Sequence, residues 1–197
     1  MFKWLHDVWL GSPSTDAEVE APQLGGLGDR ASPEDAWTLL ALINDWVKHA
    51  EAKLGVVLAF LGVLAAGLIA LVIEADCPSV LMVVLSGCAG LVLVAASLCA
   101  SAGLLPRYKH QTAVGQVNPL YYSDIAHHYA GKEDDYLAHL RATMADPPTL
   151  VRQIGRQALA NSGVAQQKYL WANRAILLGV IALMLIMVVA VGLVRDW

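Results

Sequence analysis

The apolar positions of the chain recur at helical spacing, and the pattern changes character partway through. Trp37, Leu40, Ile43 or Asn44, Val47 and Leu54 fall at intervals of three, four or seven, as the buried stripe of an amphipathic helix does. From Leu54 to Ile73 the stripe widens into an unbroken apolar run. No Gly or Pro separates the two stretches before Gly55, so they read as one helix. Its start is marked: Ser32 suits the N-cap, Pro33 the first helical position, and Asp35 lies three residues after Ser32. A second apolar run extends from Pro78 to Leu105, and a third from Ala175 to Val194. The third again continues an amphipathic helix, with Leu150, Ile154, Ala158, Asn161, Ala165 and Tyr169 on one stripe. Thr149 is the expected cap of that helix, after the break at Asp146-Pro147-Pro148.

Each run reaches the roughly 20 apolar residues that cross a bilayer core, and none contains Asp, Glu, Lys, Arg or His. The fold expected is all-α: three transmembrane helices, two of them continuing as long cytoplasmic helices, plus a cytoplasmic helical insert. The insert comprises a loop turned at Asn118-Pro119, a helix through "SDIAHHYAG", a break at Gly131, and a helix in "KEDDYLAHLRATMA" with Tyr136, Leu137 and Leu140 as core candidates. The domains expected are a flexible segment over 1–31 and a stalk with two spans over 32–106. A cytoplasmic region over 107–173 and a third span with a short outer tail over 174–197 follow. Residues 11–31 are rich in Gly, Ser, Pro and acid. "MFKWLHDVWL" is either a frayed end or a short interfacial anchor.

Composition agrees with the pattern. Among 197 residues, 57% are hydrophobic and only 15% charged, outside the range of soluble domains. Lys and Arg set the orientation. Eight lie between the second and third spans: Arg107, Lys109, Lys132, Arg141, Arg152, Arg156, Lys168 and Arg174. Between the first two lies only the acidic "EADCPS". The N-terminus and the insert are therefore expected in the cytoplasm, and the C-terminus outside. The net charge of -4, without a basic aromatic stripe, gives no sign of a nucleic-acid partner. Cys77, Cys88 and Cys99 recur every eleven residues and read as small packing residues, with Cys77 alone placed for an intersubunit disulfide.

The spans offer no ionisable group for a proton relay or a coupled transporter. They do carry small residues at packing intervals: Gly55–Ala59, Gly62–Ala66–Ala70 and Ser86–Gly90. These serve either packing among the spans or association of protomers. Asp124 and His128 share a helix face, which reads as surface rather than a metal site. No phosphate loop or nucleophile elbow is present, so no enzyme is expected. Binding is better provided for. Asn44, Lys48 and Glu51 line one face, and Asn44 falls on the apolar stripe, where an amide needs a partner. With Arg107 and Lys168 near the inner membrane face, Asn44 and Lys48 make a candidate set for a small anionic ligand, Arg gripping phosphate.

The stretch "NDWVKHAEAK" carries Asn44, Trp46, Ala50, Glu51 and Lys53 in the order "N-W-x-x-x-A-[DE]-x-K". With "LPR" at Leu105–Arg107, the "YYSDIA" insert, and Gln166, Lys168 and Tyr169 entering the last span, the chain resembles the Pycsar transmembrane effectors over residues 37–195. That resemblance implies an antiphage effector. In such a system a neighbouring pyrimidine nucleotide cyclase makes cyclic UMP or cyclic CMP on infection. The effector senses this ligand through its cytoplasmic helices and, as a homo-oligomer, impairs the bacterial inner membrane. The alternatives open on sequence are a membrane scaffold for a cytosolic partner and an autonomous holin-like pore.

Overall fold

A computed structural model describes residues 32–75, 78–105 and 117–194. The described residues form five helices: α1 Pro33–Glu74, α2 Val80–Leu104, α3 Tyr122–His128, α4 Glu133–Ala145 and α5 Pro147–Val194. The expected segment over 1–31, Cys77, Arg107 and the outer tail lie outside them.

The two long helices are continuous, as the periodicity predicts. At 1.5 Å per residue, the 42 residues of α1 extend about 63 Å and the 48 of α5 about 72 Å. Both far exceed the roughly 30 Å of a hydrocarbon core. Three helices, α1, α2 and α5, are long and apolar enough to cross a membrane. The Ser32 hydroxyl caps α1 by accepting the Asp35 amide hydrogen at 3.1 Å, as its spacing predicts. Ser79 does the same for α2, accepting from Met82 at 3.4 Å, so that helix opens at Val80 rather than at Pro78. The start of α5 also differs from expectation. Pro147 takes the first helical position, Asp146 precedes it, and the Asp146 carbonyl accepts from Leu150. A proline in the first turn loses no helical hydrogen bond, so Thr149 lies inside the helix, where its hydroxyl accepts from Arg152 at 2.8 Å.

The chain divides into two compact units, and the division falls inside both long helices. The membrane-spanning unit holds residues 48–75, 78–105 and 166–194. Leu61, Leu64 and Leu68 of α1 pack with Ala89, Leu93 and Ala96 of α2 and with Ala182 and Ile186 of α5. A second layer joins Leu54, Ala100, Ala172 and Ala175. The alanines of α2 and α5 let the helices approach, since lipid tails offer no hydrophobic drive and close contact must hold them. Gly103 is where this matters most. A Cβ there would stand 2.8 Å from a Leu54 methyl and 3.0 Å from the Trp171 Cβ.

Residues 32–47 and 117–165 make the second unit. Leu40 and Ile43 of α1 meet Leu150, Ile154 and Ala158 of α5, with Ala36 and Leu120 at the margin. Trp37 departs from the predicted stripe: it is 43% exposed, because Leu40 and Ile43 centre the buried face one step round the helix. Between α3 and α4, Gly131 adopts φ 72°, the left-handed conformation that glycine reaches without Cβ strain. In α4, Tyr136, Leu137 and Leu140 are only half-buried, and Thr143 is the buried residue.

Candidate functional site

Polar groups are concentrated inside the second unit. The segment before α3 is tied to α5 through Asn118, itself buried. Its side-chain amide donates to the Gln153 carbonyl at 3.2 Å, and its side-chain oxygen accepts from the Leu120 amide at 2.9 Å. This is the self-bonding turn that Asn-Pro chemistry favours. The Asn118 backbone N–H in turn donates to Asp124 Oδ2 at 2.9 Å. Asp124 is therefore not a surface residue: it is 5% exposed and fastens the loop, whereas His127 and His128 beside it are exposed. Among the described residues no three His, Cys, Asp or Glu side chains converge as a metal site would require.

Asn44 finds the partner its position demands. Asn161 Nδ2 donates to Asn44 Oδ1 at 2.7 Å, joining α1 to α5 within the unit. Both residues lie on the stripes read from sequence, so a polar crossbar closes a mostly apolar seam. One and two turns before Asn161, Gln157 and Gln153 continue the polar row on α5, and the side-chain oxygens of both are buried without a hydrogen-bond partner. The two glutamines belong to no motif and lie off the apolar stripe of α5. Their spacing of four from each other and from Asn161 is the signal that could have found them.

Aromatic residues of the insert pair with one another. The rings of Tyr121 and Tyr122 meet edge to face at 4.9 Å. The Tyr129 hydroxyl shares a hydrogen bond with His139 Nδ1 of α4, and its ring packs on Tyr136 at 5.3 Å. Burial, then the hydrogen bond with Tyr122 and the charges around it, push the Tyr121 phenol above its ordinary pKa. Burial, followed by Asp124, Asp135 and Tyr136, does the same for Tyr129. Both phenols keep their protons at neutral pH and can donate.

Two of the remaining candidates belong to the other unit. Lys48 and Lys168 belong to the membrane-spanning unit, Lys48 exposed on α1 and Lys168 9% exposed on α5. Lys168 Nζ stands 3.0 Å from Glu51 Oε1 and donates to the Gly103 carbonyl at 3.1 Å. That carbonyl belongs to the last turn of α2, which has no helical donor left. A cation there satisfies the carbonyl and opposes the negative end of the helix dipole. Close by on the same helices, Lys53 lies over the Tyr169 ring and Arg174 over the Trp171 ring, each at 5.1 Å. At this distance each cation is attracted to the face of the ring. Arg107 is outside the described residues.

Comparison with known proteins agrees with the motif order. The Pycsar effector protein domain matches residues 35–195. The chain is 45% identical over 196 residues to the Pycsar effector protein PtPycTM of Propioniciclava tarda, covering 98% of this chain and 97% of that one. No solved structure matches it.

Proposed function

The chain belongs to the Pycsar effector proteins, and from that premise we propose that it senses a cyclic pyrimidine mononucleotide and impairs the inner membrane in response. It is an effector of antiphage defence with three helices able to span a membrane. The observation that carries the finer reading is the set of buried polar groups within residues 32–47 and 117–165, Asn118, Asp124 and Gln153 among them, whose two long helices run without a break into apolar spans. The ligand is cyclic UMP or cyclic CMP, made by a partner cyclase. Asn44, Lys48, Arg107 and Lys168 are the first contacts to substitute, with Arg107 assigned to the phosphate. Ligand shifts the protein towards the membrane-disrupting arrangement only to the extent that it binds that arrangement more tightly.

Homo-oligomerisation draws support from the spans. Gly55, Ala59, Gly62, Ala66 and Ala70 are all exposed on α1, and a Cβ at Gly55 or Gly62 would meet nothing within 4 Å. Packing inside the protomer therefore does not account for this row. Ser86 and Gly90 differ: they are half-buried, and Gly90 faces Leu68. The excess of Lys and Arg between the second and third spans supports a cytoplasmic N-terminus and a periplasmic C-terminus.

The test is dye release from liposomes carrying the purified protein, titrated with cyclic UMP, CMP, AMP and GMP. Release with a pyrimidine nucleotide alone is the expected result. Release without any nucleotide would instead identify a holin-like pore, and silence with all four, given verified insertion, would favour a scaffold. Arg107→Ala should abolish release; if binding and toxicity both survive it, the phosphate role of Arg107 is wrong.

A further inference from the structure

Gln153 and Gln157 stand one turn apart on α5, and the side-chain oxygen of each is buried with no hydrogen-bond partner. Gln153 as a whole is only 7% exposed. A buried acceptor without a donor is destabilising, whereas an apolar group of the same shape in its place is neutral or better. Two such acceptors in one row are therefore a poor choice for stability alone. The local frame is nonetheless well made. Asn118 clamps the Gln153 carbonyl, Asp124 clamps Asn118, and Asn161 is engaged one turn beyond Gln157. The scaffold around the two carboxamides is satisfied, and their oxygens are not.

Side chains four apart on a helix have Cβ atoms about 5–6 Å from each other, close enough for both to reach one edge of a single heterocycle. A carboxamide presents an acceptor oxygen beside a donor nitrogen. Uracil presents the complement, N3–H beside a carbonyl, and cytosine presents an exocyclic amine beside ring N3.

We propose that Gln153 and Gln157 read the hydrogen-bonding edge of the pyrimidine base, their oxygens accepting the two hydrogens of the cytosine amine or sharing the single N3–H of uracil. This rests on the reading of the protein as a sensor of a cyclic pyrimidine nucleotide, and it assigns that ligand's base to α5.

The test is calorimetric binding of cyclic UMP and cyclic CMP to the full-length protein in nanodiscs, for wild type, Gln153→Met and Gln157→Met, with thermal unfolding of each. The proposal expects each variant to bind at least about tenfold more weakly, as loss of one hydrogen bond to a buried donor would give. It also expects each melting temperature to stay level or rise, because an orphan acceptor is gone. Where cyclic UMP is the ligand, its N3-methyl derivative should fail to bind wild type; where cyclic CMP is, dimethylation of its amine should do so. Binding within twofold of wild type in both variants would overturn the assignment while leaving nucleotide sensing intact. Lost binding with a falling melting temperature would also overturn it, since the glutamines would then be structural. A wild-type protein that binds neither nucleotide would overturn the sensing reading, and this inference with it.

Discussion

Asn44 and Asn161 hold each other's amides in the seam between α1 and α5, so removing either strands the other. Asn44→Leu or Asn161→Leu alone should destabilise the protein by about 1 kcal/mol, the net contribution of a hydrogen bond in this half-buried seam. The double Leu variant should recover most of that loss. A double-mutant cycle by thermal unfolding in detergent checks this, and additive losses would show that the bond contributes no coupling. Lys168 poses a similar question with a charged group. Its partner Glu51 has a side chain 48% exposed, so solvent screens the pair and Glu51→Gln should cost well under about 1 kcal/mol. Lys168→Met also removes the donor to the Gly103 carbonyl and should lower the melting temperature clearly more than Glu51→Gln. Equal effects would mean that the carbonyl contact is dispensable. At this scale the sequence was informative where a residue broke its own stripe. Asn44 announced a partner because an amide sat on an apolar face. Lys168 reads from sequence as a candidate ligand contact, because nothing in a linear pattern shows that α2 ends beside it. Asp124 looked like surface because its burial depends on a loop that crosses to α5.

The elements themselves were far more visible than their contacts. Backbone hydrogen bonds cannot be left open in hydrocarbon, so runs of this length and apolarity leave helix as the choice for α1, α2 and α5. One capping residue, Ser32, then placed the start of α1. The start of α5 lies two residues before the expected Thr149 cap because Pro147, a break in the linear pattern, is compatible with a first helical turn. What period and caps leave open is which face of a span meets its neighbours. Gly103 and Gly62 separate the two possibilities. Gly103→Ala forces a Cβ against the fully buried Leu54 and against Trp171, and should destabilise the spans by about 1–3 kcal/mol, as overpacking does. Gly62→Leu projects into open space on an exposed face, and should leave unfolding of the protomer unchanged while weakening self-association in detergent. Unchanged oligomer size in Gly62→Leu and Gly55→Leu by analytical ultracentrifugation would remove this face from any protomer interface.

For the molecule as a whole, the decisive quantity is where charge lies relative to the membrane. Three spans put the two ends of the chain on opposite sides, so one orientation test settles every segment at once. Eight Lys and Arg residues between the second and third spans oppose the acidic connection between the first and second. Arg195 alone pulls the tail the other way, and juxtamembrane bias follows the larger excess. Single cysteines introduced at Ser14 and after Trp197, in a protein with Cys77, Cys88 and Cys99 replaced by Ala, report this directly. A membrane-impermeant maleimide applied to spheroplasts should label the C-terminal cysteine and spare the one at position 14 until the membrane is opened. The reverse pattern would place residues 117–165 in the periplasm, away from any nucleotide made in the cytosol. A cytosolic second messenger could then not be the signal, whatever Gln153 and Gln157 bind. Orientation is thus upstream of every ligand experiment, because a sensor has to share a compartment with its cyclase before affinity matters.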